Sequence, residues 1–128
     1  MDEPFVLALA YLMLKHCFAD FFLQTEYQWR NKGHYLHPGG LLHAAIHAAL
    51  SSPVLFLVPQ AQLTAGAAIL LAEFVLHYHV DWTKEWLGEA LSVQPNSAAF
   101  WRLIGMDQLA HNWTYVVMAW SISYFAAS

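Results

Sequence analysis

The sequence predicts an all-α protein: a transmembrane four-helix bundle of antiparallel, up-down topology. Three observations carry this prediction. Apolar residues make up 59% of the 128-residue chain and charged residues only 11%, against about 45–50% and about 25% in soluble domains. Four apolar stretches each approach the ~20 residues a bilayer crossing requires. The links between them are short, which makes neighbouring helices antiparallel. The stretches are apolar all round rather than striped, so a soluble helical domain fits less well. The length is that of a single integral membrane domain over 1–128.

The first span is read from about Pro4 to Gln24, with Pro4 suited to a first helical turn. It has no basic start and carries Lys15, His16 and Asp20, so it reads as a span rather than a cleaved leader. The second runs from Gly39 to Val58, between the His37–Gly40 turn and Pro59. The third runs from Leu63 to about Trp86, a more polar stretch covers Leu87–Ser97, and the fourth takes Ala98–Ala126. Arg30 and Lys32 fall in the first loop, Lys84 and Arg102 flank the third, and the opposite side has neither Lys nor Arg. The positive-inside rule then puts these two loops in the cytoplasm and both termini on the periplasmic side of a bacterial inner membrane. Trp29, Trp82, Trp86 and Trp101 gather at the cytoplasmic level as an interface belt, and Trp120 and Tyr124 mark the outer one. A net charge of −4 without a basic patch speaks against a nucleic-acid partner. The lone Cys17 excludes an internal disulfide.

Four times, a His or Asp is followed four residues later by another: His16/Asp20, His43/His47, His77/Asp81 and Asp107/His111. On a helix such residues share a face, so each pair offers two metal-ligand side chains in one direction. Counted by the ~1.5 Å rise from each span's cytoplasmic end, Asp20, His43, Asp81 and Asp107 lie at a depth of roughly 6–10 Å. His16, His47, His77 and His111 lie at roughly 12–16 Å by the same count. Imidazole suits Zn, Fe, Cu and Ni, and carboxylates favour harder ions and bridging. These eight residues are therefore expected to hold one or two divalent ions, Zn first, with Fe or Mn as alternatives. The deep histidines would take one ion, and the shallow four a second ion or the role of outer partners. A helix-to-helix hydrogen bond explains one pair but not four at one depth, because buried ionisable groups are costly and tend to be functional. Haem would leave the aspartates without a role. Spans one and three share His-x-x-x-Asp, which suggests a duplicated hairpin about an axis along the membrane normal.

Glu73 lies one turn before His77 on the same face. It reads either as a general base or proton relay, or as the ion-pair partner of Lys15. Asp107 is the second candidate for a catalytic role. Lys84 is expected to snorkel to the interface, and Gln24 and Gln108 to orient a ligand or substrate. His34 and His37, in a loop, and His79, on another face, are left outside the site.

Through Lys15-His16, Ala19-Asp20-Phe21, Gln24, Leu42-His43-Ala44-Ala45-Ile46-His47, His77, Asp81-Trp82-Thr83-Lys84 and Asp107-Gln108-Leu109-Ala110-His111, the chain resembles a bacterial integral-membrane family, domain of unknown function 3307. The resemblance covers nearly the whole chain and implies a small integral membrane protein, with no activity attached. A looser similarity is to small membrane-embedded metal-dependent hydrolases, and to seven-span lipid hydrolases whose zinc is held by His and Asp on helices. Their span counts differ, so that similarity implies chemistry rather than fold.

Three functions are compatible with these residues. The first is a Zn-type hydrolase of a lipid or amphiphile, with a mono- or dinuclear site in the cytoplasmic half of the bundle. The second is a divalent-metal or proton transporter or channel. It predicts polar residues continuing to the far side, where the spans hold only Ser51, Ser52, Thr114, Ser121 and Ser123. The third is a di-iron oxygenase-like enzyme, since His-x-x-x-His also occurs there. Membrane lipid and a lipid-like substrate are the expected partners. Four short spans have limited area for burying a site, which admits a homodimer.

Overall fold

A computed structural model describes residues 3–127, and among them every regular element is helical. Helix α1, Glu3–Phe18, passes directly into a π turn, Ala19–Leu23, which ends where Gln24 takes extended backbone. Helix α2, Glu26–Trp29, stands where a plain loop was expected. Gln28 Oε1 accepts the Thr25 N–H at 2.9 Å, satisfying a donor that the first turn of a helix leaves free.

Helix α3, Pro38–Ser51, starts on a proline, whose missing N–H costs nothing in a first turn. His37 Nδ1 accepts the Gly39 N–H at 3.1 Å, so His37 is a helix cap. The α-helix then gives way to a tighter 3₁₀ segment, Ser52–Leu57. Pro53 has no N–H to offer the Ala49 carbonyl, so the regular ladder stops there. A short 3₁₀ turn, Gln60–Gln62, leads to helix α4, Leu63–Ala90. Helix α4 runs past the expected end at Trp86, because Gly88 weakens a helix without stopping it and no proline lies between Trp86 and the turn at Ser92, where φ is 49°. Helix α5, Ala98–Ala126, opens on Ser97, whose Oγ accepts the Phe100 N–H at 3.1 Å.

Three segments are long and apolar enough to cross a membrane: Glu3–Leu23, Pro38–Leu57 and Leu63–Ala90. The fourth expected span, α5, has the length but not the hydropathy. Its Trp, Tyr, Ser, His and Asn residues dilute the aliphatic ones.

Helix α1 packs against α3 and α5, and α4 packs against the same two. The order round the ring is therefore α1, α3, α4, α5, with α1 and α4 opposite each other. Two glycines let α3 approach closely: a Cβ on Gly39 would meet the Tyr27 carbonyl oxygen at 2.7 Å, and one on Gly40 would meet Tyr78 Cε2 at 3.3 Å. Where α1 begins and α5 ends, the ring is filled by an apolar core that includes Ala8, Leu12, Val54, Met118 and Ile122. The other half is filled by the histidines and aspartates. Large apolar side chains also point outward all round, Phe21, Leu71, Val117 and Trp120 among them, and Phe56 is 93% exposed. Apolar surface on this scale is a liability in water and none in lipid.

Candidate metal centre

The four spaced pairs meet inside the ring. All five histidines and Asp81 are buried, and Asp20 and Asp107 are half-buried. Every one of these histidines turns its Nε2 towards a carboxylate. Asp20 Oδ1 lies 3.1 Å from Nε2 of both His43 and His47, and its Oδ2 lies 3.2 Å from His16 Nε2. Asp81 Oδ1 lies 3.2 Å from His111 Nε2, and its Oδ2 lies 3.4 Å from His43 Nε2 and 3.5 Å from His77 Nε2. Asp107 Oδ1 lies 3.5 Å from His111 Nε2. The His47 and His77 rings stack with centroids 3.8 Å apart.

Two of the outward nitrogens have close partners of their own. His16 Nδ1 is 2.8 Å from the Tyr115 hydroxyl. His47 Nδ1 is 3.3 Å from Lys15 Nζ, which also donates to the His47 carbonyl at 3.1 Å and is ion-paired with Glu73. Partners of this kind fix ring orientation and leave the opposite nitrogen for an ion. Gln24 Nε2 lies 3.5 Å from the His43 ring nitrogens, and Gln108 Nε2 donates to Asp107 Oδ2 at 3.2 Å. Each glutamine thus stands beside one of the candidate ligands.

Two residues at the site were not expected there. Lys32, placed by the sequence in a cytoplasmic loop, is only 6% exposed, and its Nζ lies 2.9 Å from Asp81 Oδ2. The chain after α2 folds back over the cluster and buries it, and no local pattern announces this. Tyr115 is the other. It follows His111 by four residues, so the spacing that marks the ligands also reaches it. Of the two roles open to Glu73, the ion pair with Lys15 is present. Lys84 Nζ is 2.6 Å from Glu85 Oε1 and partly exposed. His34 is exposed, and His79 bonds the Val75 carbonyl at 2.7 Å, away from the cluster.

Three groups bring one ligand atom per residue within 4.8 Å of one another: Asp20/His43/His47/His77, His16/His77/His111 and Asp81/Asp107/His111. The first and third cut across the two expected depth layers, whereas the second lies within the deep one. Side chains one helical turn apart have Cβ atoms only about 5–6 Å apart, so their tips converge and the layers merge. The first and third groups share no residue.

His77 stands at the join. It is 2% exposed, and neither ring nitrogen has a hydrogen bond. Leaving a buried polar group unpaired costs about 1–3 kcal/mol. His16 Nε2 and Asp107 Oδ1 are also buried without one. Charge is unbalanced too. Lys15 is taken by Glu73, so with neutral imidazoles three aspartates face one lysine, Lys32, an excess of −2. Buried charge of this kind is tolerated when paired or bound to a metal, and imidazole with carboxylate is a donor set that divalent ions accept. A cavity of about 180 Å³, bordered by Asp20, Gln24, Lys32, Asp81, Asp107 and Gln108 among others, opens onto the cluster.

Residues 8–128 match the family described as Protein of unknown function (DUF3307). The chain belongs to this family. The matched range takes in all eight candidate ligand residues, as the resemblance carried by those residues implied. No curated protein and no solved structure matches the chain. The looser likeness of this DUF3307 chain to membrane hydrolases therefore rests on residue chemistry alone.

Proposed function

We propose that the protein is a membrane-embedded, metal-dependent hydrolase of a lipid or amphiphile. The site would work from the cytoplasmic half of a transmembrane four-helix bundle in which α5 is the fourth span. The observation that carries this reading is His77, a buried imidazole with no hydrogen bond to either nitrogen, its Nε2 3.5 Å from Asp81 Oδ2, where two ligand groups join.

In this reading Asp20, His43, His47 and His77 hold one ion with four protein ligands, as closed sites do. Asp81 and His111 would hold a second ion, and Asp107, whose Oδ1 lies within reach of the same position, is left free to act as the base. Zinc suits the donors best, with iron or manganese as alternatives. A bound metal would lower the pKa of water towards ~7. The chain's own residues do the rest. Asp107, with Oδ2 held by Gln108, takes the water's proton. The hydroxide oxygen then bonds to the electrophilic centre of the substrate. The bond to the leaving oxygen breaks, and that oxygen takes the proton from Asp107. Lys15, held by Glu73, and Tyr115 position His47 and His16.

Transport has less support, because Ala8, Leu12, Met118 and Ile122 fill the ring beyond Glu73 with apolar side chains. Elemental analysis of protein purified without chelator is expected to find zinc, at one or two ions per chain. His77→Ala should weaken zinc binding by more than the ~10–100-fold that loss of an outer partner costs. A folded protein free of metal that takes up none on titration would overturn this reading, and iron with oxygen-dependent colour would redirect it to oxygenase chemistry.

A further inference from the structure

We propose that the substrate is a lipid phosphomonoester, its acyl chain lying in the groove between α4 and α5 and its phosphate held at the mouth by Lys32 and Lys84. This rests on the hydrolase reading for the bond broken and on that reading's two ions for the charge at the mouth.

Lys84 is the junction. With Lys32 it borders the 180 Å³ mouth cavity, and it also borders a groove of about 280 Å³ between α4 and α5. That groove continues into a second of about 360 Å³, with Leu76 and Ala110 lining both. Its walls are mostly apolar, with Val80 and Ile69 on α4 and Met106 and Val117 on α5, and His79, Asp107 and Glu73 also border it. From Thr83 to Ile69 the groove follows α4 for about 21 Å at a rise of ~1.5 Å per residue. One leaflet's share of a ~30 Å hydrocarbon core is roughly 15 Å. The groove is therefore long enough for a whole acyl chain, and it starts at the polar end where the ligands lie.

Charge selects the head. Two divalent ions would turn the cluster's excess of −2 into +2. A phosphate dianion cancels that, whereas a neutral ester or an amine does not. Lysine is a point-charge phosphate binder. Lys32 is held at the mouth by Asp81 at 2.9 Å and Lys84 by Glu85 at 2.6 Å.

Photolabelling tests the proposal. Zinc-loaded protein in phosphatidylcholine nanodiscs is offered phosphatidic acid with a photoreactive acyl chain, or phosphatidylcholine with the same chain. Phosphatidic acid is expected to label residues 76–80 and 106–117, with a preference of roughly tenfold, the size of one charge-assisted hydrogen bond. Unlabelled phosphatidic acid should compete. Lys84→Gln should remove the preference, and Ala110→Trp, which plugs the joint of the two cavities, should remove the labelling. Val117→Trp, at an exposed position, blocks the same groove without touching the core. Equal labelling by the two lipids, or labels spread over α1 and α3, means surrounding bilayer lipid only and overturns the proposal. Competition by inorganic phosphate as strong as that by phosphatidic acid assigns the site to free phosphate and overturns it too. Selective labelling with no phosphate released under any metal would leave the groove standing and remove the hydrolase reading.

Discussion

A lysine and a glutamate deep among histidines are each costly alone and tolerable together. Lys15 and Glu73 are both buried and paired, and Lys15 reaches on to His47. Removing one partner of a buried pair costs about 3–5 kcal/mol, because the other charge stays buried. Lys15→Met should therefore destabilise the protein by about that much, while Lys15→Met with Glu73→Leu recovers most of it. Thermal unfolding in detergent would read both, and an additive double variant would refute the pairing. At this scale the clustering of the eight His and Asp residues was legible in the chain, because i,i+4 spacing within apolar runs is a local signal. Lys32 was not. Its bond to Asp81 depends on how the chain folds back, which no short window of sequence contains. Tyr115 lay within reach of the same spacing rule, since it continues the Asp107/His111 face.

The four long helices were legible in place, but the short α2 and the irregularities were not. Apolar runs announced four long helices, yet their composition says nothing of the π turn at Ala19–Leu23. Such turns insert one residue into a helix and recur at functional sites; here the turn carries Asp20, the residue shared by His16, His43 and His47. The 3₁₀ segment was more readable, since Pro53 must break the ladder wherever it falls inside a helix. Glycines test the packing of elements. Gly39→Ala would drive a methyl against the Tyr27 carbonyl at 2.7 Å and should cost about 1–3 kcal/mol, the usual penalty of overpacking. Gly105 has nothing within 4 Å of a Cβ, so Gly105→Ala within α5 should stabilise by roughly 0.5–1 kcal/mol. Paired unfolding midpoints in detergent would check both signs.

The whole molecule divides into an apolar half and a polar half, and its proposed orientation follows from charges at the polar end. With Lys32 committed to Asp81, that orientation leans on Arg30, Lys84 and Arg102. In a Cys17→Ala background, Gln94→Cys should react with an impermeant maleimide only from the cytoplasmic face and Gln60→Cys only from the periplasmic face. The reverse pattern would invert the topology. The Lys15–Glu73 pair bears on how such a molecule is made. Its partners lie 58 residues apart, so during synthesis at about 5–20 residues per second α1 precedes its counter-charge by about 3–12 s. A lone lysine at the centre of a membrane helix costs about 2.5–3.5 kcal/mol. In lipid, helix α1 would thus carry an uncompensated charge until α4 brings Glu73 to it.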